Sequence, residues 1–131
     1  DQQLIREKPE NHSGLYRGFA VTTVVGNGEE VLQHLEIKRV DMILMDIRMP
    51  VMDGVECTRI VKEKYPNVRV LILTTFVDDE YVMKALAYGA NGYILKGVSL
   101  GELKYAIETT MEGGSVLNPY VGAKNDSYDA Y

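Results

Sequence analysis

Three side chains in this sequence follow short apolar runs and carry groups able to act on a phosphoryl substituent. Asp46 ends Met42-Ile43-Leu44-Met45, Thr74 ends Val70-Leu71-Ile72-Leu73, and Lys96 ends Tyr93-Ile94-Leu95. Taken singly, each has an ordinary explanation: a turn or cap for the aspartate, a β-branched strand residue for the threonine, a solvated strand end for the lysine. Taken together they supply one chemistry. A carboxylate can attack phosphorus and hold it as an acyl phosphate. An ammonium group neutralises one phosphoryl oxygen, a hydroxyl donates to another, and Mg²⁺ held by carboxylates bridges to a third. Phosphoryl transfer asks for positioning and charge neutralisation more than for covalent help. A second metal carboxylate is needed, and Asp1 is the candidate.

These residues act together only if the chain delivers them to one place. Phe19 to Val25 is rich in β-formers, and Gly26-Asn27-Gly28 ends it. Asn27 caps a following helix, with Glu29 and Glu30 at its positive end and Val31, Leu32, Leu35 and Ile37 as its apolar face. The run into Asp46 reads as a buried strand, after which Pro50 fixes the backbone and Asp53-Gly54 turns it. Val55 to Tyr65 is a helix anchored by Val55, Ile60 and Val61 and stopped by Pro66. Val68 to Leu73 is almost continuously apolar, the signature of a strand covered on both faces. Asp78-Asp79-Glu80 opens a helix that carries Tyr81, Val82, Ala85, Leu86 and Tyr88, and Gly89 closes it. Gly92 to Lys96 is a short strand. Ser99 and Glu102 have capping-box spacing, and the helix from Leu100 to about Met111 has Leu103, Tyr105 and Ile107 as anchors. Alternation of strands and helices predicts a parallel sheet with helices on both faces. Its strands then project Asp46, Thr74 and Lys96 from one edge, where open α/β sheets bind ligands.

The start of the chain fits this scheme poorly. Leu4 and Ile5, within Gln3 to Glu7, read as the opening of a helix. Lys8 to Gly14 then breaks any helical stripe, so residues 8–18 are expected to be irregular.

Composition narrows the function classes. A chain of 131 residues suits one domain. A net charge of −5 argues against a broad basic face for nucleic acid. With two histidines and one cysteine, a structural zinc site is not expected. His34 reads as a surface or boundary helix residue and Cys57 as an inert, buried one. No apolar run approaches the ~20 residues of a membrane span, and no signal peptide is visible. A reducing, cytoplasmic setting is the expectation.

The stretches Met45-Asp46-Ile47-Arg48-Met49-Pro50-Val51-Met52-Asp53-Gly54, Leu73-Thr74-Thr75-Phe76-Val77-Asp78-Asp79-Glu80-Tyr81 and Gly89-Ala90-Asn91-Gly92-Tyr93-Ile94-Leu95-Lys96, with their mutual spacing, resemble the receiver domain of bacterial two-component response regulators. The branch is that with a LuxR-type helix-turn-helix output, the NarL/FixJ branch. The resemblance is strong from about Phe19 to Asn118. It implies a flavodoxin-like (CheY-like) doubly wound parallel sheet of order 2-1-3-4-5, a receiver domain over residues 1–118, and a linker or tail over 119–131. It implies that Asp46 accepts a phosphoryl group from a cognate histidine kinase, that Lys96 contacts it, and that Thr74 moves to bond it while Tyr93 reorients. Mg²⁺ would be held by Asp1, Asp46 and the backbone carbonyl of Arg48. Arg48 and Phe76 match positions flanking the site, where bulk obstructs an attacking water, so slow self-hydrolysis is expected. Homodimerisation follows phosphorylation, through the 79–111 face, or arises by strand exchange. DNA would be bound only through a helix-turn-helix domain that this chain lacks.

The sequence departs from the family at two places, one of them the region Lys8 to Gly18, which lacks the family's amphipathic helix although its length fits. At the other, the family's first strand, central in the sheet and ending in two acids, is missing, since the chain opens at what matches the second acid. That departure favours an alternative: a receiver-like association module that is not phosphorylated. A third class, an aspartate-nucleophile phosphohydrolase, would need an acid two residues after Asp46, where Arg48 stands.

Overall fold

The computed structural model describes residues 2–7, 19–48, 51–75 and 79–114. Its elements are β1 (Gln2–Glu7), β2 (Phe19–Val25), α1 (Gly28–Ile37), β3 (Met42–Asp46), α2 (Gly54–Lys64), β4 (Arg69–Thr74), α3 (Asp79–Ala87), β5 (Gly92–Leu95) and α4 (Leu100–Met111). The strands form one sheet in the order β2-β1-β3-β4-β5. β3, β4 and β5 are parallel, with Asp46 opposite Leu73 and Thr74 opposite Leu95.

Apolar runs without polar alternation make these strands because both faces of the sheet are covered. Successive side chains point to opposite faces. Ile43, Met45, Val70 and Ile72 belong to a cluster with Val31 and Leu35 of α1, Val55 and Val61 of α2, and Val82 and Ala85 of α3. Met42, Leu44, Leu71 and Ile94 belong to the other, with Ala106, Ile107 and Met111 of α4. Three helices thus pack on one face and α4 on the other.

Residues 2–7 form a strand rather than the opening turn of a helix. β1 lies between β2 and β3 and is antiparallel to both, so the sheet is mixed rather than wholly parallel. The central position expected to lack its strand is therefore filled from within the chain. Leu4 joins the first cluster and Ile5 the second, both fully buried. A strand sends adjacent residues to opposite faces, as Leu4 and Ile5 are here, whereas one turn of helix would set them only about 100° apart around its axis. An empty slot would leave the facing N–H and C=O groups of β2 and β3 unpaired. Antiparallel entry also has a topological reason. Only residues 8–18 connect β1 to β2, and parallel neighbours need a crossover of a dozen residues or more. Residues 8–18 lie outside the described residues, as do Asp1, Phe76 and the segment 115–131.

The helices start where the sequence caps them. Asn27 accepts from the Glu30 N–H at 3.0 Å, Asp53 from the Glu56 N–H at 2.9 Å, and Ser99 and Glu102 complete a reciprocal capping box. Two expected anchors are corrected: Ile37 is 79% exposed at the last turn of α1, and Tyr105 is 68% exposed on α4. Ala106, Thr110 and Met111 take the buried stripe with Ile107. Cys57 is buried and its thiol is pushed up to about 12, by desolvation first and then by the charges of Asp53 and Glu56. It has the properties of an inert core thiol.

Candidate functional site

The parallel register brings the ends of β3, β4 and β5 to one edge, and there the three sequence-chosen residues meet. Asp46 is the last residue of β3, with its side chain 15% exposed. Lys96, directly after β5, donates its backbone N–H to the Thr74 carbonyl at 2.6 Å. Its Nζ is ion-paired with Asp46 Oδ2. The other carboxylate oxygen, Oδ1, accepts the Arg48 N–H at 3.2 Å. Thr74 ends β4 and is 3% exposed. A partly exposed pair of this kind adds little to fold stability. Its consequence is positional: it sets a cation directly against the Asp46 carboxylate.

Beyond Asp46 the chain turns tightly. Ile47 is buried and donates its N–H to the Leu73 carbonyl at 3.2 Å, while its own carbonyl accepts the Gly54 N–H at 2.9 Å. Gly54 must be glycine: a Cβ there would lie 2.7 Å from Ile47 Cα and closer still to the Asp46 carbonyl oxygen. The backbone of α2 is thereby seated directly on Asp46 and Ile47. Val51 in the same loop has φ of +71°, a left-handed conformation that strains a β-branched residue. The Arg48 guanidinium lies over the Tyr81 ring, 5.2 Å from its centroid.

Gln2 is the residue that the sequence reading missed. It is fully buried, and its Oε1 accepts the Asp46 N–H. Its Nε2 is buried with no hydrogen-bond partner among the described residues. The signal was faint: a polar residue next to Asp1, in a stretch read as helix, gives no hint that antiparallel pairing carries it to the end of β3.

Tyr93 sits within β5, opposite Ile72, and packs against the cluster beneath α2 and α3. Of the expected metal ligands, the Asp46 carboxylate and the Arg48 carbonyl belong to the described site, and Asp1 lies outside the described residues. No group of three or more His, Cys, Asp or Glu residues suited to a metal occurs among the described residues. Mg²⁺ does not need such a cage. It is commonly held by one or two carboxylates, with waters and phosphoryl oxygens completing the shell. The all-oxygen donors at Asp46 and Arg48 fit that pattern. No helix among the described residues is long and apolar enough to cross a membrane.

Comparison with known proteins agrees with this arrangement. Residues 1–108 match the response regulator receiver domain. The chain is 39% identical over 124 residues to the transcriptional regulatory protein LnrK of Bacillus subtilis, covering 95% of this chain and 56% of that protein. It is 37% identical over 121 residues to the transcriptional regulatory protein DegU of Brevibacillus brevis, covering 92% and 51%. The chain thus spans about half the length of these curated relatives. Among solved structures, a LuxR-family two-component response regulator from Aurantimonas aligns with a TM-score of 0.72 and 28% identity, over 79% of this chain and 74% of that one. On the extent of these matches, and with an acid, a hydroxyl and a lysine at the ends of three parallel strands, this chain belongs to the response regulator receiver domain family.

Proposed function

We propose that Asp46 is a phosphoacceptor, and that its phosphorylation by a partner histidine kinase switches the surface of this domain. The observation that carries the reading is the ion pair of Lys96 with Asp46 Oδ2, beside the buried end of β4 at Thr74. In the transfer, an Asp46 carboxylate oxygen forms a bond to phosphorus as the P–N bond of a phosphohistidine breaks. Lys96 then follows the charge from the carboxylate to the phosphoryl oxygens. Thr74 donates its hydroxyl to another of them, and Tyr93 on the adjoining strand moves with it. When bound, Mg²⁺ supplies charge neutralisation at the phosphoryl oxygens, and Asp46, the Arg48 carbonyl and Asp1 are the residues that would hold it. Arg48 obstructs an attacking water and slows self-hydrolysis, and Phe76, outside the described residues, is assigned the same role from its place in the sequence. The domain is thus a phosphoacceptor in the cytoplasm rather than a turnover enzyme.

The receiver unit is assigned to residues 1–118 and a linker to 119–131. In the whole protein the unit controls a DNA-binding domain. With the sheet's centre filled by β1, homodimerisation is assigned to the 79–111 face rather than to strand exchange. Tyr81, Met83, Tyr88, Leu100 and Tyr105 are exposed there.

The test is incubation with Mg²⁺ and phosphoramidate, followed by intact mass measurement. One phosphoryl adduct is expected on the native sequence and none on Asp46→Asn. No adduct on either would favour an association module that is not phosphorylated. Continuous release of phosphate from the donor would indicate a hydrolase.

A further inference from the structure

The edge of the sheet opposite Asp46 gathers positive charge, on a chain whose net charge is −5. β3 and β4 begin there, with Met42 opposite Arg69. The length of β3 sets this edge about 13 Å from Asp46, at about 3.3 Å per residue. A recess of about 650 Å³ opens at the edge, bordered by Arg39, Lys64, Tyr65, Pro66 and Arg69. A second recess of about 250 Å³ shares Arg39, Val40, Tyr65 and Val68 with it and adds Ile37 and Lys38, so the two form one groove. Four cations, Lys38, Arg39, Lys64 and Arg69, stand on its borders against two acids, Glu36 and Asp41. Arg39 is paired with Asp41 at 3.2 Å, whereas Lys64 and Arg69 pair with no acid among the described residues. Behind the wall, Lys62 Nζ donates to the Val68 carbonyl at 2.9 Å, the Pro66 carbonyl at 3.2 Å and Asn91 Oδ1 at 3.3 Å. All three are neutral oxygens, so its charge meets no carboxylate. Its ammonium is held below the usual lysine range, by burial first and then by the charge of Arg69. The dipole of α2 accounts for Lys62 and Lys64 in its last turn. It does not account for Arg69, the first residue of β4.

We propose that this groove docks an acidic segment of another protein, an extended stretch that carries apolar side chains among its Asp and Glu residues. Its acids face Lys64 and Arg69, and its apolar residues face Tyr65 and the exposed Ile37 side chain. Charge complementarity selects the sign of the partner, and the size of the groove selects its class. The larger recess alone has the volume that encloses a drug-sized ligand, more than a lone phosphate fills. Nucleic acid asks for cations along a continuous stripe, and here they border one groove on an acidic chain. The surface lies away from Asp46, so the proposal stands independently of the phosphoacceptor reading.

Fluorescence anisotropy on the full chain tests this, with a fluorescein-labelled Glu-Asp-Leu-Glu-Asp-Tyr-Glu peptide as the probe. The peptide should bind at about 0.01 M salt and be released at about 1 M, as the Debye length shortens from about 30 Å to about 3 Å. The same peptide with Gln and Asn in place of its acids should bind at least about tenfold more weakly. Lys64→Glu and Arg69→Glu should each weaken binding of the acidic peptide by about tenfold, since like charges facing across an interface oppose docking. Lys84→Glu and Lys104→Glu make the same change in net charge on α3 and α4 and should bind like the native sequence. Equal weakening by all of these variants would show attraction to overall charge and overturns the proposal. Absence of binding, or equal binding of the neutral peptide, also overturns it. Tighter binding of labelled oligouridylate, lost in Arg69→Glu, would make the groove a nucleic-acid site and overturns it as well. The double variant Lys64→Gln, Arg69→Gln removes both charges without reversing them. A thermal melt matching the native sequence, with binding still weakened, separates lost docking from misfolding.

Discussion

Lys96 and Asp46 are 50 residues apart in the chain and paired in space. At the residue scale this pair makes the sharpest demand on the proposed chemistry. Removing the ammonium with Lys96→Met leaves the nucleophile in place but takes away a charge aimed at the incoming phosphoryl group. Losses of this type cost about 10²–10³-fold in rate, so labelling of Lys96→Met by phosphoramidate should slow by at least about 10²-fold. Labelling at the native rate, read by mass against time, would count against the role given to Lys96. Asp46, Thr74 and Lys96 were legible in the sequence because each closes an apolar run, and the parallel register turns that into proximity. Gln2 was not legible. Its position depends on which strand pairs with which, and one residue's chemistry carries no record of that.

At the scale of elements, the helices were largely written in local chemistry. Ser99 with Glu102, Asn27 with Glu30, and Asp53 before Gly54 are short-range devices, and each sits where its residue types require. β3, β4 and β5 were legible for a related reason: burial on both faces demands an unbroken apolar run. β1 has no such run. Only Leu4 and Ile5 are apolar, and two adjacent apolar residues suit a helix as well as a strand. Its conformation is decided by the open slot between β2 and β3, a property of other segments. The surface of α2 adds a pH-dependent contribution. Arg59 bonds Glu56 at 3.1 Å through Nε and reaches Glu63 at 3.2 Å. The hydrogen bond from Arg59, reinforced by its charge, holds the Glu56 carboxyl below the usual carboxylate range. The folded state therefore binds that proton less readily than the unfolded chain. The stabilisation is complete above about pH 4.3, the unfolded value, and is lost as pH falls through the lower folded value. Denaturant midpoints measured from about pH 6 to about pH 3 should fall less steeply in Glu56→Gln than in the native sequence, since that variant has no proton to take up there.

Across the whole molecule the sheet divides into two kinds of pairing. β3, β4 and β5 are joined by βα units, each strand meeting its neighbour after one helix. β1 instead reaches β3 across β2 and α1, pairing Gln3 with Leu44. Long-range closures of this sort are slow, because loop entropy is lost before contacts compensate for it. During refolding, pulse-labelled hydrogen exchange should find the amides of Val70, Leu71 and Ile72 protected before those of Leu4 and Ile5. Simultaneous protection would show that the central strand belongs to the nucleus.

The fully buried Gln2 gives that sequence of events a further meaning. Its carbonyl receives the backbone N–H of Asp46, and it arrives only when β1 docks. A nascent domain would therefore hold Asp46, Thr74 and Lys96 side by side while the Asp46 amide still faced water. The last strand to join would act as an assembly check, delaying a fully anchored Asp46 until the sheet is whole.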